Sequence, residues 1–70
     1  MENYLKSLIK EQEDYIRELI DEDSVYTLNQ YLDVTKSDKM SAYVSNPEIY
    51  NFELGKYIAY KDIFEKLNKN

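Results

Sequence analysis

The chain contains no cysteine, no histidine and no tryptophan, and only one glycine and one proline in 70 residues. Without cysteine there is neither a disulfide nor a thiolate zinc site, and without histidine the imidazole ligand and the usual general base are both missing. A cysteine-free chain fits a reducing cytoplasm, which is the location expected. With so little glycine and proline, long loops and tight sheet turns are poorly supplied, and helix is the natural expectation. Long apolar runs are missing too. No segment approaches the roughly 18 apolar residues of a membrane span, and the start, "MENYLKSLIKEQED", has no basic leader. The expectation is a chain that is neither exported nor membrane-bound.

Bases are scarce relative to acids, giving a net charge of -5. The imbalance is local: Glu11, Glu13, Asp14, Glu18, Asp21, Glu22 and Asp23 fall within one segment whose only base is Arg17. Direct nucleic-acid binding needs a basic stripe to displace counterions from phosphates, so it is not expected. At 70 residues the chain reads as one domain, 1–70. A domain of that size buries only about 60% of the surface its unfolded chain exposes, so a staple or a partner is expected to support it.

From Glu2 to about Ile20, Tyr4, Leu5, Leu8, Ile9, Tyr15, Ile16, Leu19 and Ile20 recur at helical spacing and make one broad apolar stripe, interrupted by Gln12. Glu2 with Lys6 and Glu13 with Arg17 are i,i+4 pairs in the favourable order. Asp21 to Asp23 suit the start of a following helix better than the end of this one. Ser24 is the expected N-cap of a short helix from Val25 to about Val34, "TKSDK" reads as a turn, and Met40, Tyr43 and Val44 suggest another helical turn, with a strand as the alternative. "SNP" at Ser45 to Pro47 is a start signal, with Asn46 as cap, Pro47 at the first helical position and Glu48 in the first turn. The last helix should run from Pro47 to about Leu67, ending near Lys66, Lys69 and the Asn68 and Asn70 tail. The fold class expected is all-α: a small helical bundle whose long first and last helices pack antiparallel, with one or two short helices between.

The last helix, within "NFELGKYIAYKDIFEKL", is apolar on two sides. Ile49, Phe52, Ala59, Tyr60, Ile63 and Leu67 form one, assigned to the first helix; Gly55 and Ala59 would let that helix approach closely, and Lys56 would snorkel to the rim or to a carboxylate. Tyr50, Leu54, Tyr57 and Ile58, with Lys61 at the edge, form the other. Either the middle segment covers this second patch or another chain does. Eight tyrosines in the sequence favour an interface, because tyrosine joins apolar area to a polar tip. These five residues are the candidate partner-binding surface.

Catalytic and metal chemistry find no footing. "DEDS" fails as a calcium loop because Val25 and Tyr26 occupy the positions of an oxygen ligand and the turn glycine. Paired carboxylates need one dry environment, and serines need an activating base. No enzyme activity, cofactor or metal is expected. A second functional reading rests on charge: Glu11, Glu13, Asp14 and Glu18 on a rigid helix could mimic nucleic acid toward a basic cleft in a host defence or DNA-processing enzyme, against the simpler reading of a solvated face.

The absence of Cys, His and Trp, the composition rich in Lys, Asn, Ile and Tyr, and the ending "ELGKYIAYKDIFEKL" resemble small helical proteins of phages and prophages of AT-rich Gram-positive bacteria. The resemblance implies a protein that binds and modulates a host or phage protein, that self-associates, or that serves as a structural or assembly accessory. It assigns no functional residues.

Overall fold

Helix α1 spans Glu2–Leu19 and buries Leu5, Ile9, Gln12 and Ile16 along one line, the face that the helical spacing marks. The computed structural model describes residues 1–69, and Asn70 lies outside them. Two of the expected pairs along α1 are replaced. Asp14 lies 3.2 Å from Lys10 and 3.5 Å from Arg17, while Glu13 turns to Tyr57 and Lys6 lies over the Phe64 ring. The Asp14 pairs are exposed, so each contributes only tenths of a kcal/mol up to about 1 kcal/mol.

The end of α1 is closed by distant backbone. Ile20 turns extended, the Ser45 amide donates to the Leu19 carbonyl (2.8 Å), and the Asp21 amide donates to the Tyr43 carbonyl (3.0 Å). Ile20 and Val44 thereby form a single antiparallel bridge. This clasp satisfies a carbonyl that the helix end would otherwise leave to water, and it fixes where the last helix begins.

The middle segment departs from the sequence expectation. Helix α2 is only Leu28–Tyr31, capped by Thr27 rather than Ser24, and Val25 is 89% exposed. The Thr27 amide donates to the Gln30 side chain (2.8 Å) within a capping box, and this reciprocal pair sets a later start than Ser24 would. Ser24 is used otherwise: its hydroxyl accepts from the Tyr26 amide and bonds the Tyr31 hydroxyl. The "TKSDK" turn is itself helical, with a 3-10 turn at Val34–Lys36, α3 at Ser37–Met40 and a second 3-10 turn at Ser41–Tyr43. Asp33 caps the first 3-10 turn. The hydroxyl and amide of Thr35 both donate to it and hold its carboxyl below the usual range. Because α2 starts late, Asp21, Glu22 and Asp23 lie beyond the C-terminal end of α1 instead of leading into a helix.

Helix α4, Pro47–Asn68, starts as the sequence indicates, with the Ile49 amide donating to the Asn46 side chain (3.1 Å) and Pro47 in the first turn. It packs antiparallel on α1: Lys6 meets Phe64 at one end, Gln12 meets Glu53 midway, and Leu19 meets Ser45 at the other end. The expected bundle of two long helices flanking short ones is the fold observed. Its core joins Ile9 and Ile16 of α1, Tyr31, Leu32, Met40 and Val44 of the middle segment, and Tyr50, Leu54 and Tyr57 of α4.

Candidate functional site

The second apolar side of α4 is covered from within, the first of the two alternatives the sequence left open, while most of the side assigned to α1 is left uncovered. Tyr50 is 0% exposed and Tyr57 6%, and Leu54 is buried between them, so three of the five candidate partner-binding residues are core. Both α1 and the middle segment close over them. The Tyr31 and Tyr50 rings meet edge-on at 6.3 Å, and the Tyr50 hydroxyl donates to the Tyr31 carbonyl (2.6 Å). The Tyr57 hydroxyl donates to Glu13 (3.2 Å). Burial first, then the proximity of Tyr31, pushes the Tyr50 phenol up to about 12; burial and then the Glu13 carboxylate do the same for Tyr57, also to about 12. The polar tip that makes tyrosine an interface residue here supplies internal hydrogen bonds.

The other two, Ile58 and Lys61, are half-buried. With Tyr57 and Leu32 they line a shallow groove of about 460 Å³ between α2 and α4, whose rim carries Asp33, Asp62 and Glu65. Lys61 stands 6.0 Å from the Tyr57 ring centre, so the groove has an apolar floor beneath a mixed-charge rim.

The side assigned to α1 is open except at Tyr60, which is half-buried against the core. Phe52 is 68% exposed and Ile63 48%, and Ile49, Ala59 and Leu67 are exposed with them. α1 instead seats against the neighbouring arc, through Glu53, Tyr57 and Phe64. Gly55 takes no part in that packing, and a Cβ built there meets no atom within 4 Å. Lys56 does find a carboxylate, Glu53 at 3.4 Å, and its ammonium lies 5.8 Å from the Phe52 ring centre. Its ammonium thus sits between the Glu53 carboxylate and the Phe52 ring, at the border of the open stripe.

One residue pair that decides this orientation escapes a reading of apolar spacing. Gln12, the interruption in the α1 stripe, is buried, and its amide donates to both the backbone carbonyl (3.0 Å) and the carboxylate of Glu53. A buried amide needs a polar partner, and among the α4 residues Glu53 was the signal available. Pairing it with Gln12 turns the Tyr50, Leu54, Tyr57 arc inward.

The four acidic candidates are divided. Glu11 and Glu18 are exposed, Glu13 accepts from Tyr57, and Asp14 is flanked by Lys10 and Arg17. They do not form an unbroken row of bare carboxylates. Among the described residues no group of three or more acidic side chains is placed to hold a metal ion, and no helix is long and apolar enough to cross a membrane. No protein-family model, curated protein or solved structure matches the chain.

Proposed function

We propose that this chain is a non-catalytic protein-binding module whose working surface is the outer arc of α4. The observation that carries the reading is the open stripe of Ile49, Phe52, Ala59, Ile63 and Leu67, which runs along most of a helix whose other side already forms the core. Large apolar side chains gathered on one exposed helix face, rather than scattered singly, mark an interaction surface. A helix laid in a groove or against another helix is read through anchors three, four and seven residues apart, and the stripe steps by three, seven, four and four residues, with Lys56 between Phe52 and Ala59. The chain is small, and covering this face would supply apolar burial that its own core lacks. In this reading the protein needs no cofactor and works in a cytoplasm, where the resemblance to small phage proteins suits a modulator or assembly accessory.

A photo-reactive phenylalanine analogue placed at Phe52, at Glu18 or at Asp38 tests the surface without presupposing the partner. Protein crosslinks from Phe52, with few from Asp38, are the result expected. Crosslinks from Glu18 and not from Phe52 would instead favour the acidic face, and none from Phe52 above the Asp38 background would remove the proposal.

A further inference from the structure

We infer that the partner on this face is a second copy of the chain, paired antiparallel through α4; the inference rests on the reading of the stripe just given. Ile49, Phe52, Lys56, Ala59, Ile63 and Lys66 alternate by three and four residues, the spacing of a two-helix seam, over about 27 Å of helix at 1.5 Å per residue. What decides both the partner and the direction is how the residues of this seam meet their own copies. A parallel, in-register pair would set Lys56 against Lys56 at the centre and Glu48 against Glu48 at the end, with the helix dipoles aligned. An antiparallel pair centred between Lys56 and Ala59 sets each Lys56 stem over the small Ala59 of the second copy, and Phe52 against Ile63.

The charges agree with that choice. Glu48 lies in the first turn of α4 and Lys69 at its other end, where Lys66 is already paired with Asp62 at 3.0 Å, so antiparallel copies bring Glu48 toward Lys69 at both ends of the seam. The flanking positions Glu53 and Tyr60 face each other, as do Gly55 and Asp62, so no like-charged pair is forced together. Lys56 keeps its bond to Glu53 and its place over the Phe52 ring of its own chain, so its charge is partnered within the chain. A surface that complements itself in size and charge under a two-fold axis is what a closed dimer requires.

The absence of cysteine gives a clean test. Single variants Phe52→Cys and Ile63→Cys, both at exposed positions, are purified reduced, mixed and oxidised. The antiparallel dimer yields the mixed 52–63 disulfide in large excess over 52–52 and 63–63, because equivalent positions are then about 16 Å apart along the axis at 1.5 Å per residue and a disulfide needs Cα atoms within about 7 Å. Predominant 52–52 and 63–63 products would overturn the antiparallel arrangement while leaving self-association standing. Light scattering of the unmodified chain gives the mass independently. A monomer at every concentration, with Phe52 still crosslinking to some other protein, would overturn the second copy as occupant and leave the protein-binding reading intact.

Discussion

Tyr50 and Tyr57 show how a residue type chosen for surfaces becomes structural. Each hydroxyl has one internal acceptor, the Tyr31 carbonyl or the Glu13 carboxylate, and each ring is buried. Replacing Tyr50 by Phe removes a donor from an enclosed carbonyl without changing the packing, and should cost about 1–2 kcal/mol in urea unfolding. Tyr4→Phe, at an exposed position, should cost nothing measurable. The same burial makes stability sensitive to alkali. Both phenols stand near 12 in the folded chain against 10.0 for the free group. Their contribution is therefore complete below about pH 10 and is lost as pH rises from there through about 12, because the unfolded chain releases its protons first. Melting temperature followed from pH 8 to 12 should fall chiefly in that window, and Tyr57→Phe should flatten part of the fall.

Among the elements, α1 and α4 differ in how much their sequences reveal. The polar side of α1 is unambiguous, so spacing marks a broad inward stripe, but the buried line within it is narrower: Leu5, Ile9 and Ile16 are core while Tyr4 and Tyr15 are exposed. α4 carries apolar residues almost all round, so periodicity marks it as a helix with two candidate seats and cannot rank them. Its start is legible because Asn46 and Pro47 act locally. The start of α2 is not, because Ser24, Thr27 and Asp33 all offer a cap and the winner depends on Gln30 and on tertiary contacts of Ser24 with Tyr31. The candidate patch failed for the same reason: Tyr50, Leu54 and Tyr57 satisfy the pattern of an interface and of a core equally, and the contacts that separate the two, Gln12 with Glu53, Glu13 with Tyr57 and Tyr31 with Tyr50, join residues far apart in sequence.

Two predictions belong to the elements. Gly55 sits mid-helix with ordinary backbone and open space beside it, so Gly55→Ala should stabilise the fold by about 1 kcal/mol at high dilution. Asp21 and Glu22 follow the negative end of the α1 dipole. Replacing them by Asn and Gln should add about 0.3–1 kcal/mol in low salt and less in high salt, read from paired urea titrations.

For the molecule as a whole, extending 40 Å by 20 Å by 20 Å, pairing of copies through the open side of α4 would tie stability to concentration. Anything that binds the folded chain alone raises its apparent stability by mass action. If the bound species is another copy, the melting temperature of the unaltered protein climbs as its concentration rises. Phe52→Asp combined with Ile63→Asp should abolish that climb while leaving far-ultraviolet helicity in place, since both side chains point away from the core. A doubly substituted chain that still melts higher when concentrated would show that copies meet elsewhere.

The clasp between Leu19 and Ser45, with its Ile20 to Val44 bridge, also bears on what the fold could carry. It pins both ends of the excursion between the long helices, and the turn just beyond it, through Glu22 and the outward Val25, lies at the surface. Lengthening a loop whose ends are already held costs little, about 0.6 kcal/mol for each doubling. The turn is thus a natural insertion point, where a peptide tag or a small guest segment could be displayed while the helical pair below it keeps its register.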